Sequence, residues 1–335
     1  MASTKQASGT PRNQAADPAE EGGGRRSARL RQRAAWMYYV EDMTQGDIAE
    51  RLGITRVTVV RLLAEARRSN EVKIWIEGSD AGCVELERRL EVTFGLEEAI
   101  VVPVSGDQSS IATSIGAATG RYVSEQLHDD MSIGVGWGET LMGALRTISA
   151  RRTMNLQVVS MLGGITKAKR FNPSEFAWQF ANHFDADCFL IAAPAFVDSA
   201  ETKRILIERC GLNDVYRRAE RLDMAVVSVG GTAADATTFR FGFFSEQDRS
   251  ELLRLGAVGD VLYNFFDVDG NLVEHPINDR IMSIPIPVIR RIPRKVMCSG
   301  GLAKIEAILG AMRLLEPNVL ITDEITATEI LARRG

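Results

Sequence analysis

The chain has 335 residues, 45% hydrophobic and 25% charged, which is enough apolar mass for a sizeable core without disulfide staples. It has no apolar run of the roughly 18 residues a membrane span needs, no secretory signal, and four dispersed cysteines without metal-ligand spacing, so a cytoplasmic protein without metal or cofactor is expected. The formal charge of −4 hides a segregation: residues 1–70 hold 12 Lys and Arg against 8 Asp and Glu, and the remainder 28 against 36, a basic head on an acidic body.

Residues 1–24 carry no apolar periodicity and are predicted to be a disordered tail. Helical spacing runs from about Ala28 to Glu41, with Leu30, Ala34, Met37 and Tyr38 on one face. Thr44, with Asp47 three residues on, reads as a capping box for a helix from Gln45 to Leu52 that buries Ile48, Ala49 and Leu52 and stops at Gly53. Thr55 caps a third helix, Arg56 to Ser69, whose stripe is Val59, Leu62, Leu63 and Ala66. The alternation Val72–Glu77 predicts a short strand. Helix, glycine turn, helix and β-wing are the plan of a winged helix-turn-helix domain, assigned to residues 25–78, with its second helix in the major groove of double-stranded DNA. That helix presents Arg56, Thr58, Val60, Arg61, Arg67 and Arg68. Arginines bridge phosphates or guanine edges, Thr58 and Val60 suit a thymine methyl, and Gln45 is placed for a backbone phosphate. Residues 51–70 hold five basic residues against one acidic, more bias than a merely solvated helix face requires.

Residues 79–98 form a linker helix with Leu86, Leu90 and Phe94 in one stripe, packed on its own body or on a second subunit; the spacing leaves both open. From residue 99 to 335 the pattern is α/β. Strands are predicted at Ala99–Val104, Ser132–Val135, Leu156–Leu162, Cys188–Ala192, Met224–Val229, Lys295–Cys298 and Val319–Thr322. Helices are predicted at Ser109–Leu127, Glu139–Ile148, Pro173–Phe184, Glu201–Cys210, Ser245–Leu255, Lys304–Leu314 and Ile325–Ala332. Short buried strands alternating with helices describe a mainly parallel sheet, which binds ligands at the carboxyl ends of its strands.

Loops at that edge are the candidates. Gly134, Gly136, Trp137, Gly138, Glu139 and Thr140 follow a strand and open a helix, but the spacing is neither a dinucleotide fingerprint nor a P-loop. Glu139 would repel a phosphate, which points to a neutral polyhydroxylated ligand. Gly163 and Gly164 follow another strand, and Asp260, Asn278, Arg280 and Lys304 supply polar groups. Taken singly, each loop reads better as turn glycines and surface charge; their shared edge is what makes them one ligand hypothesis. Asp323 reads as a helix cap. His128, His183 and His275 are scattered and read as structural.

Together these segments resemble the SorC family of bacterial sugar-responsive transcriptional regulators. The resemblance spans about residues 28–332 and rests on RAAWMYYVEDMTQGDIAERLGITRVTVVRLLAEAR in the head, GVGWGETL at 134–141, LGG at 162–164, GAVGD at 256–260, NDR at 278–280, SGGLAK at 299–304 and LITDEITA at 320–327. The head is most similar to the branch controlling sugar-alcohol use, such as erythritol regulators. The resemblance implies a sugar-binding domain related in fold to ribose-5-phosphate isomerase and glucosamine-6-phosphate deaminase, without their catalysis. It implies homo-oligomers, dimers or tetramers, and effector contacts at Gly136, Trp137, Gly138, Thr140, Asn278, Arg280, Lys304 and Asp260. Glu139 departs from the Arg or Thr often found there. The alternative is a sugar-phosphate isomerase or deaminase with a regulatory head, for which Glu139, Asp260 and Asp323 are the loop carboxylates available as acid or base.

Overall fold

The computed structural model describes residues 18–69, 71–72, 81–104, 108–165, 172–240 and 244–333, and the chain divides into two units between Glu77 and Gly78. The first unit contains α1 (Pro18–Tyr39), α2 (Gln45–Leu52) and α3 (Arg56–Arg68). The helix α1 reaches back to Pro18, so residues 18–24 of the expected tail are helical. Proline suits a first helical turn, where its missing N–H costs no bond. Residues 1–17 of that tail, and the expected strand from position 73 on, lie outside the described residues.

Both caps form as the sequence dictates. Thr44 accepts from Asp47 N at 3.3 Å and the Asp47 carboxylate accepts from Thr44 N at 3.3 Å, while Gly53 ends α2 with φ +64. Ala34, Met37, Ile48, Ala49, Val59, Leu62, Leu63 and Ala66 are the buried centre of this unit, with Leu30, Tyr38 and Leu52 packed at its margin. Arg31 Nε donates to Glu71 Oε2 at 2.8 Å, tying α1 to the chain just past α3.

The second unit opens with α4 (Ala81–Phe94), β1 (Glu98–Val102), α5 (Gln108–Gln126), β2 (Ser132–Val135), α6 (Glu139–Ala144) and β3 (Gln157–Ser160). It continues through α7 (Pro173–Asn182), β4 (Asp187–Phe189), α8 (Ala200–Arg209), α9 (Asn213–Ala219), β5 (Met224–Val227), β6 (Gly230–Gly231), α10 (Thr237–Arg240) and α11 (Glu246–Arg254). It closes with β7 (Gly259–Val261), β8 (Asn264–Phe266), α12 (Ile286–Arg290), β9 (Arg294–Cys298), α13 (Ile305–Leu315), β10 (Val319–Asp323) and α14 (Glu324–Ala332).

Seven strands pair in parallel in the order β1-β10-β9-β5-β2-β3-β4. Their side chains alternate between two apolar layers. Ile133, Val135, Val158, Met224, Val226, Val296 and Ile321 face one layer; Val159, Ala225, Val227, Met297 and Leu320 face the other. Burial on both faces explains why these strands read as continuous apolar runs. A small antiparallel sheet, β6-β7-β8, continues directly from β5.

Helix α4 packs on its own body. Cys83 and Leu90 are buried in the same apolar layer as Ala327, Ile330 and Leu331 of α14. Its carboxylates cover the edge strand: Glu91 Oε1 accepts from Ala99 N at 3.1 Å and Glu87 Oε1 from Val101 N at 2.9 Å. Ladder donors that an edge strand would otherwise leave open are thereby satisfied. Among the described residues, no helix is long and apolar enough to cross a membrane.

Candidate ligand cavity and nucleic-acid interface

The chain leaves β2 toward β3 and β4 on one side of the sheet, and leaves β5 toward β9 and β10 on the other. The carboxyl ends of β2 and β5 therefore flank a topological switch point, where α/β sheets open a crevice. A cavity of about 400 Å³ lies there. Its walls come from the loop after β2 (Trp137, Gly138, Glu139, Thr140), the segment from Ser228 to Arg240 after β5, Asp260 and Leu262 of the small sheet, and Ala303 and Lys304 after β9.

Asp260 is the polar anchor. It is 4% exposed, accepts from Thr238 Oγ1 at 2.6 Å through Oδ1 and from Tyr263 N at 2.9 Å through Oδ2. Burial pushes its carboxyl above the ordinary range, and those two bonds and the charge of Lys304 pull it back. Burial pulls the Lys304 ammonium below its ordinary range, opposed by the negative charges of Asp260 and Glu139. Lys304 Nζ donates to Val229 O at 3.1 Å, which aims its head across the cavity floor. Only glycine fits at position 230, since a Cβ there would collide with the Asp260 carboxylate.

The turn joining β7 to β8 runs through Leu262 (φ +51) and Tyr263 (φ +64), two bulky residues in the left-handed region. Such a conformation costs on the order of 1 kcal/mol per residue. It is held by the Asp260–Tyr263 bond and by Asn264 Nδ2, which donates to Val261 O and Leu262 O at 3.1 Å each and to Ser283 Oγ at 3.0 Å. Leu262 is thereby presented to the cavity, and the Tyr263 ring lies 5.3 Å from that of Trp137.

Of the expected effector residues, Trp137, Gly138, Glu139, Thr140, Asp260 and Lys304 meet in this cavity. Five others do not line it. Gly136 lies beneath, donating its N–H to Val226 O at 2.8 Å. Gly163 and Gly164 bond to Met282 O and Ala193 O, each at 2.8 Å, and Gly164 borders a separate depression with Asn172 and Pro194. Asn278 spends its amide on Phe265 N and Val273 O, at 3.2 and 2.7 Å, and Arg280 Nε donates to Val197 O at 2.8 Å. Conversely, the stretch Gly230–Arg240 is not among the expected ligand loops, although Gly230-Gly231 after a strand is the same kind of signal as Gly163-Gly164. Its most consequential member is Arg240, whose Nη1 and Nη2 both donate to Glu139 Oε1 at 3.3 Å.

In the first unit, Arg56, Val57, Val60, Arg61, Arg67 and Arg68 are all exposed on α3. At 100° per residue they form one continuous arc opposite the buried stripe. Val57 is 79% and Val60 46% exposed, apolar groups left to water on a basic face. Thr58 is half-buried, its hydroxyl 2.9 Å from that of the capping Thr55. Arg68 pairs with Glu65. Gln45 and Arg56 share an open groove of about 820 Å³ with Tyr38, Tyr39 and Thr44.

Residues 80–332 match the family described as "Putative sugar-binding domain". The erythritol catabolism regulatory protein EryD of Brucella abortus is 30% identical over 303 residues, covering 90% of this chain and 96% of the relative. A deoxyribonucleoside regulator of Bacillus subtilis is also 30% identical, over 300 residues, covering 89% and 96%. The crystal structure of the full-length sorbitol operon regulator SorC from Klebsiella pneumoniae superposes with a TM-score of 0.72 at 27% identity, covering 90% of this chain and 98% of that one.

Proposed function

The chain belongs to the SorC-like family of transcriptional regulators that carry a sugar-binding domain, and we propose that it is a cytoplasmic DNA-binding regulator whose operator affinity is set by a small sugar or sugar alcohol held in the cavity at the β2/β5 switch point. The observation that carries this reading is a buried carboxylate, Asp260, and a half-buried ammonium, Lys304, lining one cavity in a chain whose other unit presents the basic face of α3. In this reading residues 25–78 are the winged helix-turn-helix head, with α3 in the major groove. Arg56, Arg61, Arg67 and Arg68 then meet phosphates or guanine edges, Gln45 a backbone phosphate, and Val57 and Val60 thymine methyls. The head works in pairs on a palindromic site, so the protein acts as a homo-oligomer. Exposed apolar residues on the body, Trp178 at 57% and Val92 at 80%, support such association.

Glu139, Asp260 and Asp323, the three carboxylates nominated as acid or base, support a sensor over an isomerase or deaminase. Asp260 is spent on Thr238 and the backbone of Tyr263, and Glu139 on Arg240. Asp323 is buried under Gly301 N and Thr326. A general acid or base has to reach the substrate's proton, and these groups are turned to the protein itself. The effector acts by binding one arrangement of the protein more tightly than the other, since equal affinity shifts nothing. Relatives equally similar to this chain are named for erythritol and for deoxyribonucleosides, so similarity alone does not select the effector.

Selection of bound fragments from a genomic library by the full chain tests the reading. The expected result is a palindromic site whose binding weakens steeply with salt and further with Arg61→Ala. Recovery of fragments without a common sequence would overturn it.

A further inference from the structure

The cavity is already charge-compensated from within. At its mouth Glu139, the first residue of α6, and Arg240, the last of α10, are joined at 3.3 Å. At its floor Lys304 faces Asp260. Asp235 adds a third carboxylate to the wall. Both cations of the lining thus stand beside carboxylates of the protein's own, and the carboxylates outnumber them.

A phosphate monoester entering this cavity has to displace Glu139 from Arg240 and then remain beside the displaced carboxylate. Like charges at such range oppose one another, and water at the mouth, where the two side chains are 52% and 42% exposed, screens that opposition only in part. A hydroxyl meets no such opposition. It donates to a carboxylate and accepts from the Arg240 guanidinium, the Lys304 ammonium or a Thr237 or Ser228 hydroxyl, so a polyol satisfies the wall without disturbing either pair.

We infer that Glu139 serves as a built-in anion that occupies Arg240, restricting the cavity to uncharged polyhydroxyl ligands, and that Arg240 is a latent phosphate-binding residue freed when a neutral side chain replaces Glu139. The inference rests on the reading of this cavity as the effector site, and it deepens that reading by naming the ligand class and the residue pair that selects it. Glu139→Gln keeps the length and the hydrogen-bonding end of the side chain while freeing the guanidinium.

The test is isothermal titration and thermal shift of the full chain with tetrose, pentose and hexose aldoses and alditols, each beside its terminal phosphate monoester. The expected result is that an uncharged compound binds and raises the melting temperature of the wild-type protein while its phosphorylated counterpart does not. Glu139→Gln then tightens binding of that phosphorylated counterpart by about tenfold or more, and Arg240→Gln in the same background abolishes the gain. A wild-type preference for the phosphorylated member of a pair would overturn the inference and leave the regulator reading standing, as would a Glu139→Gln protein that melts normally and gains no phosphate affinity. Absence of binding by every compound to both proteins would sink the effector reading and this inference together.

Discussion

The Asp323 carboxylate accepts a hydrogen bond from the backbone N–H of Gly301 at 3.1 Å, and the two residues lie on different strand ends of the same sheet edge. Asp323 ends β10 and caps α14, accepting from Thr326 N at 2.9 Å and from Thr326 Oγ1 at 2.6 Å. Gly301 has φ +100 and begins the turn that delivers Lys304 to the cavity. A Cβ at the neighbouring Gly300 would collide with the same carboxylate, so the loop is built around Asp323. One buried side chain thus fixes both the start of the last helix and the lysine loop.

Asp323→Ala should therefore destabilise the body by about 3 kcal/mol, because it removes a helix cap and leaves the N–H of Gly301 and the N–H of Thr326 buried with fewer partners. Thermal or denaturant unfolding of the full chain checks this. A loss below about 1 kcal/mol, the value of an exposed cap alone, would show that the loop is held by other contacts.

The seven strands of the sheet were all legible in the sequence, because burial on both faces leaves short apolar runs between helices. Helices α2 and α3 of the head were legible through their caps, Thr44, Gly53 and Thr55, which mark ends that tertiary packing does not override, whereas α1 was legible only from its apolar spacing and begins ahead of it, at Pro18. The β7–β8 hairpin was not. Its turn residues, Leu262 and Tyr263, adopt positive φ without a glycine or asparagine to announce it, and they do so because Asp260 and Asn264 hold them. The same limit explains the site. Strand ends point to Trp137 and Lys304, whereas Asp260, Asn278 and Arg280 read alike as polar loop groups, and only the backbone partners of Asn278 and Arg280 set those two apart. Local spacing does not encode which polar side chains the fold consumes for itself.

Lys304→Met tests the cavity floor. The thioether replaces an aliphatic stem of similar length and removes a half-buried ammonium, while burial pushes the Asp260 carboxyl up from its ordinary value. The melting temperature of the unliganded full chain should change by no more than about 3 °C. Affinity for whichever uncharged polyol shifts the wild-type melt should fall at least about tenfold, roughly 1.4 kcal/mol. Retention of wild-type affinity by a folded variant would remove Lys304 from the ligand contacts.

The head carries a pH dependence of definite sign. The hydrogen bond from Arg31 holds the Glu71 carboxyl below its ordinary value of 4.5. A carboxyl whose pKa is lower in the folded than in the unfolded state contributes stability that is complete above the unfolded value and is lost as pH falls through the folded one. Glu71→Gln abolishes that contribution. Amide exchange in α1 and α3, corrected for intrinsic rates, should be faster in the variant than in the wild type at pH near 7, with the difference closing well below pH 4.5. A difference that persists unchanged in acid would mean that packing around residue 71, and not its charge, secures α1.

Helix α4 gives the last test, because its apolar stripe was compatible with packing on the body or on a second subunit. Leu90 is fully buried in the layer shared with α14, and Glu87 and Glu91 reach past it to the N–H groups of β1. These contacts are intramolecular, so removing the isobutyl group opens a cavity inside the body. Leu90→Ala should cost about 3 kcal/mol of stability. The strand it covers should respond with it: amide exchange at Ala99 and Val101 should rise, since their N–H groups donate to α4 carboxylates whose position depends on that packing. A stripe that served subunit contact would give the opposite pattern, with the stability of the body retained and the oligomer dissociating on dilution. Sedimentation and denaturant unfolding of the same variant separate the two outcomes, because only loss of an internal contact lowers the unfolding midpoint independently of protein concentration.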